Sequence, residues 1–272
     1  MLKARVITAV VLLVFLLGIL AFRSTPLFVA AATLFFGAAT WESYRLFGNR
    51  QAVFGGVMWA AAFVFLAWQN TFSQAPVLYV ICGLIFLLRL APSLKLGLPP
   101  LEGLRNRMLG FTYGIAILGC FGAIVVLFQR SPVYLVSAMA IVWVADIGAY
   151  FAGKAFGKHK LAPSISPGKS WEGAIGGWIA VLVLAAAAAV TPQLSGTYPA
   201  HLLARAGWGG FLFAMTVLVA ASVVGDLFES QLKRRIGMKD SSNLLPGHGG
   251  VLDRIDALIP ALPLAVLFDT WM

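Results

Sequence analysis

The sequence predicts an all-α, polytopic transmembrane protein of about nine spans with a cytoplasmic N-terminus. Three observations carry this expectation. Of the 272 residues, 60% are hydrophobic and only 11% are charged, whereas soluble domains carry roughly 25% charged residues. The apolar residues fall in runs, each close to the roughly 20 residues that cross a bilayer as a helix. The basic residues, finally, gather between alternate runs.

The first run is residues 1–22, where Lys3 and Arg5 precede an apolar stretch from Val6 to Phe22. A signal peptide has the same outline, but no small-residue cleavage site is evident and another apolar run follows at once, so it reads as an uncleaved first span. The next runs are 26–46, 53–70, 76–93, 108–128, 132–153, 171–191, 207–228 and 251–270. With the N-terminus in the cytoplasm, 17 of the 20 lysines and arginines fall on that side and only Arg23, Arg130 and Arg205 on the other. The split follows the positive-inside rule, and one helix more or fewer would scramble it. The formal charge of +10 is then loop bias and attraction to anionic lipid, and nucleic acid is not an expected partner. Cys82 and Cys120 lie inside apolar runs and read as packing residues, not a disulfide.

Of the ten acids, seven lie between Asp146 and Asp256, and the first 140 residues carry only Glu42 and Glu102. Residues 1–107 therefore read as N-terminal scaffold helices. Residues 108–272 read as the catalytic region, with cytoplasmic loops at 154–170 and 229–250. The Pro/Gly-broken basic linker 94–107 marks the seam.

Asp226, Glu229 and Lys233 are spaced i, i+3, i+7 and share one helix face. Asp226 closes the apolar run Phe211–Val224, where a lone carboxylate is costly. Asp253 and Asp256 share a face at the start of the last run, near backbone amides that favour anions. Carboxylates are hard ligands of the kind Mg²⁺ takes, one or two at a time with water and phosphates. Between them, the turn Pro246–Gly250 lets backbone approach a ligand closely. The competing reading is a set of salt bridges joining Asp226, Asp253 and Asp256 to Lys233, Arg234 and Arg254. His248, in that turn, either contacts a ligand or simply caps backbone.

Asp146 follows Ala-Ile-Val-Trp-Val-Ala inside or at the end of the sixth run, with Tyr150 and Gly153 on its face. An ionisable group there is expensive and is a functional hypothesis, and an interfacial Asp solvated by the basic loop is the alternative. The loop from Gly153 to Gly173 holds a hydroxyl-bearing basic turn, Ser164 to Ser170, leading into a helix whose first amides suit an anion. Lys169 would hold a phosphate there; an ordinary cytoplasmic loop would look similar. Gly168-Lys169-Ser170 is not a P-loop, because Pro163 stands where that motif needs glycine. Gly173 and Gly177 read as helix packing.

The stretch Ser230 to Asp256 resembles the C-terminal signature of the phosphatidate cytidylyltransferases (CDP-diacylglycerol synthases). Its S-x-x-K-R, K-D, P-G-H-G-G and D-R-x-D anchors all stand at the family's spacing. Ser166 to Gly173 matches the upstream S-P-x-K-[ST]-x-E-G motif, and Asp146 to Gly153 matches D-x-x-A-Y-x-x-G. The resemblance covers the C-terminal half; the N-terminal third agrees only in being helical and membrane-embedded.

The resemblance implies transfer of the cytidylyl group of CTP to phosphatidic acid, giving CDP-diacylglycerol and pyrophosphate. It implies Asp226 and Asp253 as Mg²⁺ ligands with Asp256 and Glu229 in support, and a second, monovalent cation such as K⁺. Asp226, Asp253 and Lys169 would be catalytic. Ser166, Lys169, Ser170, Lys233, Arg234, Lys239, His248 and Arg254 would hold triphosphate or lipid phosphate. The expected setting is the inner membrane of a bacterial cell, with the bilayer as partner and a homodimer as one admissible assembly. A CTP-dependent lipid kinase and a transporter of anionic substrates are the alternatives. The D-G-x-x-A-R pattern of CDP-alcohol phosphotransferases is absent, and the paired repeats common in transporters are not seen.

The charge split makes a direct prediction. Single cysteines in the 129–131 and 192–206 segments should react with an impermeant thiol reagent added outside the cell. Cysteines in 154–170 and 229–250 should not, and the reverse pattern would refute the orientation.

Overall fold

Within lipid every backbone N–H and C=O must find a partner inside its own segment, so the apolar runs become helices, punctuated by proline, glycine and short polar turns. The computed structural model describes residues 17–272 together with residues 8, 10, 11 and 14; most of the expected first span, 1–22, lies outside the described residues. Helix α1, Thr25–Leu46, starts behind Ser24 with proline in its first turn. α2 is Ala52–Trp68, and α3 is Pro76–Leu96, with a π turn at Phe86–Leu90. α4 is Leu104–Arg130. α5 is Pro132–Phe156, its N-terminus capped by the Ser131 side chain accepting from the Tyr134 amide. Strands β1 (Lys160–Ala162) and β2 (Ser166–Ser170) form an antiparallel hairpin. α6, Trp171–Val190, is capped by Ser170, whose hydroxyl accepts from the Gly173 amide. α7 is Tyr198–Arg235, kinked at Gly207. A single turn, α8 (Leu252–Ile255), precedes α9 (Leu258–Trp271).

Five of the described helices, α3 to α7, are long and apolar enough to cross a membrane. α2 is apolar but has 17 residues, and α9 has 14. The expected all-α membrane architecture holds, with one addition: the segment 154–170 carries the β-hairpin where a loop is expected. Helix ends also differ from the apolar runs. The run 207–228 is the middle of α7, which starts at Tyr198 and continues through Lys233 and Arg235. The run 251–270 is divided into α8 and α9. Hydropathy marks the part of a helix that suits lipid, whereas the helix itself runs on until capping or glycine stops it.

α4 is the centre of the bundle. Ile117, Cys120 and Ala123 on it are fully buried, and it packs against α1, α2, α3, α5 and α9. Cys82 and Cys120 are buried free thiols, as the sequence suggests. α5 and α6 make the closest helix pair, along a seam of small residues. A Cβ on Gly173 would sit 2.8 Å from the Ala149 carbonyl, and one on Gly148 would sit 2.9 Å from the Ala180 methyl. The packing role expected of Gly173 and Gly177 is therefore what the structure shows.

The helix ends sort into two groups, and the polar contacts sort with them. At one end Asp269 accepts from Tyr134 (2.6 Å) and pairs with Arg130 (2.5 Å) and His201 (3.1 Å), while Arg205 donates to the Asp269 carbonyl at 2.6 Å. At the other end Arg235 donates to the carbonyls of Leu46 (3.2 Å) and Pro99 (3.1 Å) and to Asn106 Oδ1 (2.8 Å). Gln231 there donates to the Ser93 carbonyl at 2.9 Å. The C-terminal ends of α1, α3 and α7 thus meet the N-terminal end of α4.

Candidate active site

At the Arg235 end, four carboxylates open into one cavity of about 640 Å³: Asp146 of α5, Asp226 of α7, Asp253 of α8 and Asp256 just beyond it. Lys154, Lys169 and Arg254 line the same cavity, together with Tyr150, Gly153, Ser166 and Ser170. The face shared by Asp146, Tyr150 and Gly153 therefore lines the site, and Asp146 is exposed there beside the loop lysines Lys154 and Lys169.

Each acid is placed by a local device. Asp226 comes within reach of Asp256 because Gly225 has no side chain: a Cβ there would run into Pro260, 2.8 Å away, and the Asp256 carbonyl. The Asp226 carboxylate is ion-paired with Lys169 and accepts from Ser230 Oγ at 3.3 Å. Lys169 is delivered by β2 of the hairpin, and the hairpin is anchored at its base by Glu172. That carboxylate accepts from the Lys158 amide (3.1 Å), the His159 amide (3.2 Å) and the His159 ring (2.6 Å). Arg234 steadies the hairpin from the α7 side, donating to the Ile165 carbonyl at 3.4 Å.

Both oxygens of Asp253 are engaged, one by the 241–250 segment and the other by Lys233. Its Oδ2 accepts from the Gly250 amide (2.7 Å), the Ser241 amide (2.8 Å) and lies 3.0 Å from Ser241 Oγ. Its Oδ1 is 2.6 Å from the Lys233 ammonium. The donors from Lys233, Gly250 and Ser241 all favour the ionised form of the carboxylate. Lys233 is also paired with the fully buried Glu229, whose oxygens have no other partner among the described residues. Asp256 Oδ1 accepts from the Ala257 amide at 2.7 Å. Gly247 and Gly249 adopt positive φ (75° and 78°), which folds the Pro246–Gly250 turn back over Asp253.

Not every residue expected at the site reaches the cavity. Ser170 lines it but is buried as the cap of α6. Lys233 and Glu229 lie behind Asp253, Arg234 braces the hairpin, and Lys239 lines a separate surface pocket with Trp41 and Arg45. His248 has its amide bonded to the Leu245 carbonyl (2.8 Å) and a buried Nδ1 without a hydrogen-bond partner among the described residues. The ion pairs in place are Lys169–Asp226, Lys233–Glu229 and Lys233–Asp253, so of the expected bridges only the last forms. Lys154 was not singled out from the sequence, being one of several lysines in a basic loop.

Among the described residues no three acidic, histidine or cysteine side chains converge into a ready-made metal cage. The donor set still suits a hard divalent ion: carboxylates alone, several around one cavity, with room for water and phosphate oxygens. A second cavity of about 740 Å³ shares the walls Leu161, Ala174, Val219 and Val223 with the first and is otherwise mostly apolar, with Trp171, Ile175 and Trp178 along it and Lys95, Ser164 and Thr216 as its polar lining.

A helical bundle with long apolar spans, a carboxylate-and-lysine cavity at one end and an apolar groove opening from its side is a membrane protein with an enzyme-like polar site. The chain belongs to the cytidylyltransferase family, whose model matches residues 3–271. It is 44% identical to a phosphatidate cytidylyltransferase of Pseudomonas aeruginosa over 97% of this chain and 95% of that protein. It is 54% identical to one of Haemophilus influenzae over 47% of this chain and 43% of that protein. For one of Bacillus subtilis the figures are 41%, 50% and 46%.

Lys169 and Lys158 separate a placed charge from a diffuse one. Lys169 reaches Asp226 in the cavity, while Lys158 meets the site only through its amide on Glu172. Lys169→Ala should lower turnover by about 10²-fold or more, the scale of losing one donor at a charged transition state, and Lys158→Ala should have little effect. Equal losses in steady-state assays of the two variants would refute the distinction.

Proposed function

We propose that the chain is a phosphatidate cytidylyltransferase, joining the phosphate of phosphatidic acid to the α-phosphorus of CTP with release of pyrophosphate. The observation that carries this is the pair of adjoining cavities. One is lined with acids and bases and suits phosphates; the other is apolar, shares a wall with it, and suits acyl chains. One amphiphilic substrate and one polyanion are what the two spaces fit together.

The reaction asks little covalent chemistry of the protein. A phosphate oxygen of the lipid attacks the α-phosphorus, the bond to the bridging oxygen of pyrophosphate breaks, and the electron pair leaves with pyrophosphate. The phosphate monoester is largely ionised at neutral pH, its second pKa being about 6, so neither a protein nucleophile nor a general base is required. The work is to bring two polyanions together and to balance their charge. Lys169, Lys154 and Arg254 supply positive charge around the cavity. Asp226 and Asp253 would hold Mg²⁺, with Asp256 beside them, and a monovalent cation would belong to the same carboxylate group; Mg²⁺ there would neutralise phosphate charge. Lys169 is the counter-charge of Asp226 without metal, so an ion there would release this lysine toward phosphate. Lys233, Arg234, Lys239 and His248 act from outside the cavity lining, by holding Asp253, the hairpin and the turn.

The same reading sets the protein in the inner membrane of a bacterial cell, with nine spans and the N-terminus in the cytoplasm. The sorting of helix ends supports it: Arg130 and Arg205 meet at one end and the Lys/Arg-rich segments at the other, the side where CTP is available.

Purified protein given phosphatidic acid, Mg²⁺ and CTP should release pyrophosphate and place the cytidine label in lipid. Label from the γ-phosphate in lipid would instead make it a kinase, and binding without turnover would make it a carrier.

Asp226→Asn and Asp253→Asn keep shape but remove charge, so each should abolish Mg²⁺-dependent turnover while the protein still inserts. Because the two act as a unit, the double variant should be little worse than either single one. Near-normal Mg²⁺-dependent activity in both single variants would leave only the lysine pairing as their role.

A further inference from the structure

Glu42 lies in α1, far in sequence from every motif of the site, yet it is fully buried at the framework of Asp253. Four donors converge on its carboxylate. Ser242 Oγ (2.5 Å) and the Val251 amide (3.1 Å) reach Oε1; Ser241 Oγ (3.0 Å) and the Leu252 amide (2.7 Å) reach Oε2. Two amides and the Ser242 hydroxyl donate to it, and the Ser241 hydroxyl adds a fourth when its proton is turned this way, which leaves little place for an N–H set on this group. Gly250 packs against this group so closely that a Cβ would sit 2.6 Å from Glu42 Oε2. No donor in the set comes from α1 itself; all belong to the two ends of the segment 241–252 that cradles Asp253.

From these contacts we propose that Glu42 is a positioning residue for the reaction: it clamps both ends of the 241–252 segment and thereby fixes the Asp253 carboxylate toward the cavity. This rests on the reading of that cavity as the cytidylyl-transfer site. Ser241 is the link between the two acids. Its hydroxyl lies 3.0 Å from Glu42 Oε2 and 3.0 Å from Asp253 Oδ2, and with one proton it donates to one of them at a time. Its amide and that of Gly250 hold the same Asp253 oxygen. Moving the 241–252 segment would therefore turn Oδ1, the oxygen facing Lys233, away from its place. A scaffold helix packed by apolar contact alone would need no carboxylate here. A buried charge with four donors is instead costly to leave half-satisfied, which holds the segment in one arrangement.

The test compares full-length wild type with Glu42→Gln, which sets an NH₂ against donors, and with the milder Ser241→Ala. Hydrogen exchange in micelles and steady-state turnover over a Mg²⁺ titration are both read. In Glu42→Gln the amides of 241–252 should exchange about tenfold faster or more, as for loss of hydrogen bonds to a charged group, with α4 and α9 unchanged. The Mg²⁺ concentration for half-maximal turnover should rise by a similar factor while KM for CTP moves much less. Ser241→Ala should shift the same two quantities in the same direction, and it decides the matter if Glu42→Gln does not fold. Unchanged exchange in 241–252 would overturn the proposal. So would faster exchange with wild-type turnover, or a loss of activity without a change in Mg²⁺ dependence. Absence of cytidylyl transfer by wild type would instead fail the functional reading, and the exchange data would still report whether Glu42 holds the segment.

Discussion

The structure depends on keeping charge at the end of an apolar bundle. Asp226 stands at the edge of a helix long enough to span lipid, and Glu42 and Glu229 are fully buried. None of these carboxylates tolerates isolation, since an unpaired charge in such surroundings is expensive. Each is accordingly matched: Asp226 by Lys169, Glu229 and Asp253 by Lys233, Glu42 by two hydroxyls and two amides. The requirement for matching dictates much of the surrounding architecture. The hairpin exists to carry Lys169 to Asp226, the last turns of α7 carry Lys233 to Asp253, and the glycines of the 247–250 turn let backbone amides stand where side chains would not fit.

That arrangement is also what suits the site to phosphate chemistry. Acids paired to lysines are charge-balanced as they stand, while carboxylates suit hard cations and ammonium groups suit phosphate. A cavity built only of lysines would bind polyanions without orienting them, and one built only of acids would repel them. The side groove adds the apolar half. Its position against the same walls sets apolar space directly beside the polar chamber.

The division between scaffold and working region is softer in space than in sequence. α4 forms the core on which the N-terminal helices and α9 both pack. Arg235, in the C-terminal region, closes over the backbone ends of α1 and the 97–106 segment. Glu42 crosses in the other direction. Among the described residues the N-terminal helices thus shape the site through the Glu42 side chain and backbone contacts, without lining the cavity.

The sequence alone determined the membrane class, because hydropathy over some 20 residues is a local property that lipid reads directly. It also determined which segments carry chemistry, because acids and lysines amid hydrocarbon stand out, and the S-P-x-K, P-G-H-G-G and D-R-x-D motifs are contiguous. Asp146, Tyr150 and Gly153 were legible as one face by helical period alone. Only the tertiary structure decided which base meets which acid. Lys169 and Asp226 are 57 residues apart, and no periodicity links them, so the sequence left Asp226 with Lys233 as a nearer candidate. The same holds for Glu42, which in the sequence is one acid near the end of an otherwise apolar run and is separated by about 200 residues from the hydroxyls it holds. Helix lengths also escaped, since hydropathy registers the lipid-facing portion and not where the hydrogen-bond ladder ends. Pairing of this kind is fixed by how helices pack, and packing is settled by small residues such as Gly225 and Gly250, whose importance lies in the atoms they leave room for.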